Sequence, residues 1–97
     1  MKPFTSSEIE TQLKESLPSW QYKNSFLRKE FTFKNFVEAF SFMTAAALEA
    51  EKADHHPDWA NVYNKVIVCL QTHSANGITV KDFDLAKKME NIYKKYI

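Results

Sequence analysis

The spacing of apolar residues along the chain predicts three amphipathic helices and two extended segments. The first helix begins at a capping box, because Thr5 is followed three residues later by Glu8. Pro18 disfavours helix at the residue before it, so we expect the helix to end there. Apolar residues recur at a spacing of four on one face of this helix: Ile9, Leu13 and Leu17.

The first extended segment runs from Trp20 to Phe33 and is predicted to form a hairpin. Its polar and apolar side chains alternate, as they do on a strand with one buried face. The pair Lys23-Asn24 is expected to form the turn. The predicted buried face carries Leu27, Phe31 and Phe33, interrupted by Lys29.

The middle helix is predicted over residues 36–52, opened by Asn35 with Glu38 three residues on. One apolar stripe, expected to face the sheet, comprises Phe36, Phe40, Met43, Ala47 and Ala50. A second side is also small or apolar and comprises Val37, Ser41, Thr44, Ala45 and Leu48. Because a helix that is apolar on two sides is usually covered on both, we expect another subunit on the second side. The alternative is a bland, solvated surface.

The second extended segment, from Val62 to His73, has the strongest strand pattern in the chain. Residues 63–65 are expected to be strand or a bend between two strands. Asn76-Gly77 predicts a turn, and Thr79 is expected to cap a last helix. The predicted buried residues are Val66, Val68, Leu70 and Thr72 on the strand, and Leu85, Met89, Ile92 and Tyr96 on the helix.

Strands in adjacent pairs with short turns, alternating with helices, predict an α+β fold. We expect a four-stranded antiparallel sheet with three helices packed on one face, in the order α-β-β-α-β-β-α. Because a chain of 97 residues can enclose only one core, residues 1–97 are expected to form a single domain.

Composition and charge narrow the class of protein. The chain is 44% hydrophobic and 14% aromatic, and its one cysteine suits a reducing, cytoplasmic compartment. No apolar run has the length of a signal peptide core or a membrane span, so no membrane association is expected. The net charge of +1, with dispersed lysines, predicts no direct nucleic-acid binding.

Histidines supply the candidate chemistry. Two of the three lie in the run Glu51-Lys52-Ala53-Asp54-His55-His56-Pro57-Asp58-Trp59, and the third is His73. Histidine exchanges protons near neutral pH, because its unperturbed pKa is about 6.5. The clustering therefore indicates acid–base chemistry. The alternative is a pair of surface histidines at a helix end, where positive charge suits the helix dipole.

Other chemistries fit the sequence less well. Glu51 and His55 are four residues apart, but no His-Glu-x-x-His motif or cysteine pair accompanies them, so a local helix interaction is favoured over a metal site. Cys69 lies within an apolar strand, which indicates an inert buried thiol. A glycine-rich phosphate loop is excluded because the chain has one glycine.

Proton transfer to a flat, neutral substrate remains. His55 and His73, on separate elements, are placed to face each other across a pocket, one donating and the other accepting a proton. Pro57, Trp59 and Tyr63 would add rigid surface suited to a planar heterocycle. For the two aromatic residues, ordinary core packing is the alternative.

One combined motif runs through the second half of the chain. It consists of Glu51-x-x-x-His55-His56-Pro57-x-Trp59-x-x-x-Tyr63, followed by Thr72-His73, Gly77, Thr79 and Asp82. These residues closely resemble the pterin-4a-carbinolamine dehydratases, which in animals also serve as the dimerisation cofactor of a homeodomain transcription factor. The resemblance covers nearly the whole chain from Trp20 onward.

The resemblance implies a hydro-lyase that converts 4a-hydroxytetrahydrobiopterin into quinonoid dihydropterin and water. This step recycles the tetrahydrobiopterin used by aromatic amino acid hydroxylases and needs neither a metal nor an organic cofactor. His55 and His73 resemble the acid–base pair of the family, and His56 resembles a residue that binds and orients the pterin.

The remaining pocket residues also follow from the resemblance. Glu51 and Thr72 are expected to hydrogen-bond the pterin, beside the rigid surface of Pro57 and Trp59.

Three residues are expected to support the pocket. Asp82 would hold His73 or its neighbours, although its place three residues after Thr79 also fits a helix cap. Trp20 resembles a tryptophan near the family's pocket, and core packing explains it equally well. Tyr63 is expected beside the pocket.

The resemblance also bears on partners. It implies a homodimer or homotetramer assembled through the middle helix, and a protein partner from the aromatic amino acid hydroxylase pathway or among transcription factors. In an animal cell the protein would also be expected in the nucleus. The competing hypothesis is a non-catalytic protein-binding or dimerisation module with the same fold. Such a module would be expected to lose part of the histidine set, and this set is intact.

Overall fold

Three α-helices and four β-strands follow one another in the predicted order in the computed structural model, which describes Met1–Ile97. The elements are α1 (Ser6–Ser16), β1 (Gln21–Lys23), β2 (Phe26–Thr32), α2 (Phe36–Lys52), β3 (Asp58–Val62), β4 (Lys65–Leu70) and α3 (Val80–Tyr93). Short 3₁₀ turns at His73–Ala75 and Lys94–Tyr96 flank the last helix.

The four strands form one antiparallel sheet in the spatial order β1-β2-β4-β3, so the predicted α+β fold is confirmed. The two central strands are in register through pairs such as Leu27 with Leu70 and Phe31 with Val66. These four side chains and Val68 are buried, whereas the other side chains between them are half-buried or exposed. This alternation is expected of a sheet that helices cover on one face.

The second extended segment differs from its prediction. A turn at Tyr63, where φ is 50°, divides it into two strands, which confirms the bend expected at residues 63–65. The outer strand β3 begins earlier than expected, at Asp58, and β4 ends at Leu70. The first hairpin turn also lies one residue later than predicted, because Asn24 and Ser25 are the residues with left-handed backbone.

The middle helix has the predicted bounds, but the prediction of its buried face was largely wrong, because of the five predicted residues only Ala50 is buried and Met43 half-buried. The buried residues are Ala39, Phe42, Ala46 and Ala50, whereas Phe36 and Phe40 are 48% and 55% exposed. Both stripes satisfy the helical period, so periodicity alone does not distinguish them. The face that carries the three alanines packs against the sheet, and the Phe42 ring on that face lies 4.7 Å from the Phe31 ring.

Two of the three predicted capping boxes form in full, those of Thr5 with Glu8 and Thr79 with Asp82. At Asn35 only half of the box forms: the Asn35 side chain accepts from the Glu38 N–H, but the Glu38 carboxylate accepts from the N–H of Lys34. The Glu8 carboxylate accepts from the Thr5 N–H at 2.8 Å, and Asp82 accepts from the Thr79 N–H at 2.9 Å. On α1 and its C-cap the predicted residues Ile9, Leu13 and Leu17 are buried. On α3 the predicted residues Leu85 and Met89 are buried with Phe83 and Ala86, while Ile92 and Tyr96 are half-buried.

The lysine that interrupts the buried face of β2 is accommodated by a charge partner. The Lys29 ammonium lies 2.6 Å from the Glu90 carboxylate and 4.5 Å above the centre of the Phe31 ring. A buried charge requires such partners. None of the helices has the length and hydropathy of a membrane span.

Candidate active site

His55 is positioned by the way in which α2 ends. Asp54 adopts a left-handed backbone with φ of 50°, and its N–H donates to the carbonyl of Glu51 at 3.1 Å. The N–H of His55 donates to the carbonyl of Ala50 at 3.0 Å. Together these two bonds make a Schellman motif, which reverses the chain at the helix end. His55 is left only 9% exposed.

Asp82, in the first turn of α3, is the partner of His55. Its carboxylate is fully buried, and Oδ1 lies 2.6 Å from Nε2 of His55. The other oxygen, Oδ2, accepts from the backbone N–H of Thr79 at 2.9 Å and from the hydroxyl of Thr72 at 2.7 Å. Asp82 therefore caps α3 and holds a histidine at once. The histidine that it holds is His55, and not His73.

Two threonine hydroxyls complete the buried network. The hydroxyls of Thr72, just after β4, and Thr79, just before α3, lie 2.8 Å apart. Because Thr72 donates its single proton to Asp82, Thr79 is the donor between the two hydroxyls. Thr79 in turn accepts from the N–H of Lys81 at 3.2 Å. The sequence pattern identified Thr79 only as a helix cap. The hydrogen bond between its hydroxyl and that of Thr72 depends on the fold.

The hydrogen-bond network assigns the proton on His55. An ionised carboxylate has no donor, so the bond to Asp82 requires the proton on Nε2 of His55. In the neutral imidazole, Nδ1 is then the acceptor. Nδ1 has no protein partner, and no buried side-chain nitrogen or oxygen lacks one, so Nδ1 reaches the surface. The arrangement can therefore exchange a proton at Nδ1 while Asp82 balances the charge.

His56 points away from this network. Its side chain is 59% exposed, and Nε2 lies 2.8 Å from the carboxylate of Glu51, which is itself 80% exposed. A surface pair of this kind adds little to stability. It does fix one ring nitrogen of His56, so the ring has a preferred orientation at the end of α2.

His73 lies on a surface loop that follows Thr72. It begins the 3₁₀ turn His73–Ala75, is exposed, and makes no side-chain hydrogen bond. The loop is closed by a two-way backbone pair, because the Thr72 N–H donates to Gly77 at 2.9 Å and the Gly77 N–H donates back at 3.3 Å. His73 thus directly follows a residue that is bonded to the same carboxylate as His55.

The aromatic candidates separate into different surroundings. Trp59, on β3 opposite Val68, is half-buried against the core, and Tyr63 is 62% exposed at the β3–β4 turn. Trp20 is buried, donates its Nε1–H to Glu90 at 2.8 Å, and packs on Phe31. No hydrogen bond joins any of the three to the His55–Asp82 network. Pro57 is half-buried between His56 and β3.

Cys69 is less enclosed than its strand pattern suggested. It alternates with the buried residues of β4 and is half-buried, so the thiol is less buried than expected. Partial burial raises the pKa of the Cys69 thiol, an effect that Arg28 opposes and Asp58 reinforces. A raised pKa keeps the thiol protonated and poorly nucleophilic.

Two further features bear on the site. One surface cleft of about 430 Å³ lies beside β1, and another of about 500 Å³ lies between the end of α1 and α3. No histidine lines either cleft. No three side chains of His, Cys, Asp or Glu are grouped as a metal site requires.

Known proteins resemble this chain over most of its length. Residues 2–92 match the family model described as Pterin 4 alpha carbinolamine dehydratase. A Rhizobium johnstonii protein is 52% identical over 92 residues, covering 93% of this chain and 90% of the relative. A Prochlorococcus marinus (strain NATL2A) protein is 51% identical over 78 residues, covering 80% and 82%. Both carry the name "Putative pterin-4-alpha-carbinolamine dehydratase".

A solved structure matches the fold. The crystal structure of a Brucella melitensis protein, described as a transcriptional coactivator/pterin dehydratase, superposes with a TM-score of 0.90 at 45% sequence identity. The match covers 95% of this chain and 99% of that one.

Proposed function

The chain belongs to the pterin-4a-carbinolamine dehydratase family, and from that premise we propose that His55 and His73 catalyse the loss of water from a 4a-hydroxytetrahydropterin. The enzyme class is that of a hydro-lyase. The observation that carries the histidine assignment is the 2.6 Å contact between His55 and the buried Asp82 carboxylate. A buried acid–histidine pair with one free ring nitrogen is a recurrent device for proton transfer.

The reaction requires two proton movements. The bond between ring carbon 4a and the hydroxyl oxygen breaks, and the hydroxyl takes up a proton to leave as water. The adjacent ring nitrogen loses its proton, and a double bond forms between that nitrogen and carbon 4a. One group must act as acid and one as base, so the protein ends with the same number of protons as it began with. Two histidines satisfy this balance.

His55 is proposed as one member of this pair, acting through Nδ1. Asp82 accepts from Nε2, which fixes the tautomer and stabilises the imidazolium when Nδ1 takes up a proton. Thr72 and Thr79 hold the carboxylate in turn. The orientation of the His55 ring is therefore set jointly by the end of α2, the segment after β4 and the start of α3. Asp82 is therefore a positioning residue, and His55 is the group that meets the substrate.

His73 is proposed as the second member. Its side chain is exposed and makes no hydrogen bond to the protein, so both ring nitrogens are free for a substrate. His56, oriented by Glu51, is proposed to bind the pterin and not to transfer a proton. Thr72, Pro57 and Trp59 would border the pterin, whose recycling would serve aromatic amino acid hydroxylation.

A stopped-flow dehydration assay tests these roles. The carbinolamine is generated enzymatically and the uncatalysed rate is subtracted, since the reaction also proceeds without protein. We expect His55→Ala and His73→Ala each to lower kcat by about 10²-fold or more, because each removes one general acid–base group. His56→Ala should raise KM with a smaller effect on kcat. A variant His56→Ala that lost kcat at unchanged KM would reverse the assignments.

We also propose that the chain assembles as a homodimer or homotetramer through α2. The face of this helix that points away from the sheet exposes large apolar side chains, including Val37 at 71% and Leu48 at 68%. Exposed apolar patches of this kind mark interaction surfaces. Light scattering at micromolar concentration should give a multiple of the 11.3 kDa chain mass, and a monomer would contradict the proposal.

A second candidate function is that of a protein-binding module. Two observations favour it: the same exposed face of α2, and the description of the Brucella melitensis protein as a coactivator as well as a dehydratase. The two functions are separable. A chain without dehydratase activity that still formed oligomers would support the binding module, whereas activity lost in the histidine variants would support the enzyme.

A further inference from the structure

The segment that precedes α1 packs against the loop that carries His73. The N–H of Phe4 donates to the carbonyl of Ile78 at 2.8 Å. The Phe4 ring meets Phe83 of α3 edge-on, with 5.6 Å between ring centres. Residues Pro3–Phe4, which we call the strap, therefore contact the chain on both sides of the Thr79 cap.

The strap also touches the base of the loop, at the only glycine in the chain. A Cβ atom at Gly77 would lie 2.9 Å from Cβ of Pro3. Carbon atoms at optimal contact are about 3.5–4.0 Å apart, so no side chain fits between them. Gly77 does not have a positive φ. Glycine is therefore required here by the close approach of Pro3, and not by backbone conformation.

The loop makes few contacts besides these. Its tip residues His73, Ser74 and Asn76 are exposed, and its internal bonds are the pair between Thr72 and Gly77 and short turns within the tip. Exposed loops with little packing open locally at low cost in free energy. Pro3 packs against the base of the loop at Gly77.

We propose that Pro3 and Phe4 are positioning residues for His73: the strap clamps the base of its loop and fixes the histidine opposite His55. The catalytic consequence of this inference rests on the proposed function, whereas its structural consequence rests on packing alone. A catalytic group misplaced by about 1 Å can cost about 10²-fold in rate, so a loosened loop should lower turnover without damaging the core.

Gly77 and Pro3 offer a reciprocal test. Gly77→Ala introduces the clash and should displace the strap. Adding Pro3→Gly removes the opposing Cβ and should restore the packing, whereas adding Pro3→Ala keeps that Cβ and should not. Amide hydrogen exchange over residues 73–77 reports on the loop without any substrate. Values of kcat and KM report on catalysis.

We expect Gly77→Ala to speed amide exchange in the loop by at least about tenfold and to lower kcat by about tenfold, within the range of about 10²-fold that misplacement can cause. Pro3→Gly in the double variant should recover most of both effects, and Phe4→Leu should be milder than Phe4→Ala. Thr5→Ala is the matched control, because it removes the cap of α1 and leaves the strap contacts in place.

Two results would overturn the inference. One is unchanged loop exchange and kcat in Gly77→Ala. The other is equal loss in Thr5→Ala and Gly77→Ala, which would indicate a general effect on stability. A wild-type protein without dehydratase activity would contradict the proposed function, while the exchange measurements would still decide whether the strap holds the loop.

Discussion

Replacing Asp82 by asparagine is the most informative single change at the site. The substitution preserves size and shape in a position that is fully buried. The amide oxygen can still accept from Thr79 and Thr72, as Oδ2 does now. The amide nitrogen, however, replaces the oxygen that faces His55, so a donor meets a donor unless His55 moves its proton to Nδ1.

The expected magnitude follows from what is lost. The 2.6 Å contact between His55 and a carboxylate becomes a neutral hydrogen bond, and a bond to a charged group contributes about 1.5–3 kcal/mol to stability against about 1 for a neutral one. We therefore expect a loss of about 1–2 kcal/mol in the free energy of unfolding. The kinetic loss should be larger. A comparable change in serine proteases lowers kcat about 10⁴-fold through the wrong tautomer.

Here we expect a fall in kcat of at least about 10²-fold, equivalent to about 2.7 kcal/mol of transition-state stabilisation, with KM nearly unchanged. Stopped-flow dehydration measures the rate, urea unfolding measures the stability, and ¹⁵N chemical shifts of the His55 ring report which nitrogen carries the proton.

Glu8→Gln is the matched control, since it makes the same acid-to-amide change in the capping box of α1, where no histidine is bonded. It should affect stability slightly and kcat not at all. An Asp82→Asn protein with the wild-type tautomer and a kcat within twofold of wild type would refute the positioning role of Asp82.

Three further predictions concern other parts of the chain. Asp54→Gly should raise stability by up to about 1 kcal/mol in urea unfolding, because glycine adopts the left-handed backbone at that position without the steric penalty of a Cβ. Alkylation of Cys69 should be slow in the folded protein and should accelerate with rising pH and on unfolding, because burial raises the pKa of the thiol and favours its protonated form; equal rates in folded and unfolded protein would contradict this. Val37→Glu should lower the mass measured by light scattering and leave the far-UV circular dichroism unchanged, because Val37 is 71% exposed in the single chain.

Local signals in the sequence accounted for the helix ends and the order of elements. The capping boxes at Thr5 and Thr79 depend on residues three apart, and both form as predicted. The alternation that predicted β4 is equally local. These features need no knowledge of the rest of the chain.

The buried face of α2 could not be predicted in the same way. Phe36 and Phe40 belong to one stripe and Phe42 to another, and both recur with the helical period. The choice between them depends on the distance between the helix and the sheet. Alanines at 39, 46 and 50 permit a close approach with Phe42 as the one large side chain on the buried face, and Phe36 and Phe40 remain outside.

The partner of Asp82 was also beyond the sequence pattern. His55 and Asp82 are 27 residues apart, and they meet because a left-handed turn at Asp54 and the cap of α3 bring two helix ends together. The motif suggested that Asp82 would hold His73 or its neighbours, and Asp82 does hold the neighbouring Thr72 but not His73 itself. Its two roles, as cap and as histidine partner, proved compatible because a carboxylate has two oxygens.

His55 and His73 are proposed to move the protons in pterin dehydration. The most direct test of these roles is the stopped-flow rate of carbinolamine dehydration by wild-type protein and by the double variant His55→Ala/His73→Ala, each corrected for the uncatalysed reaction. We expect catalysis by the wild type and a rate at background for the folded double variant. A double variant that dehydrated the carbinolamine at the wild-type rate would contradict the proposal.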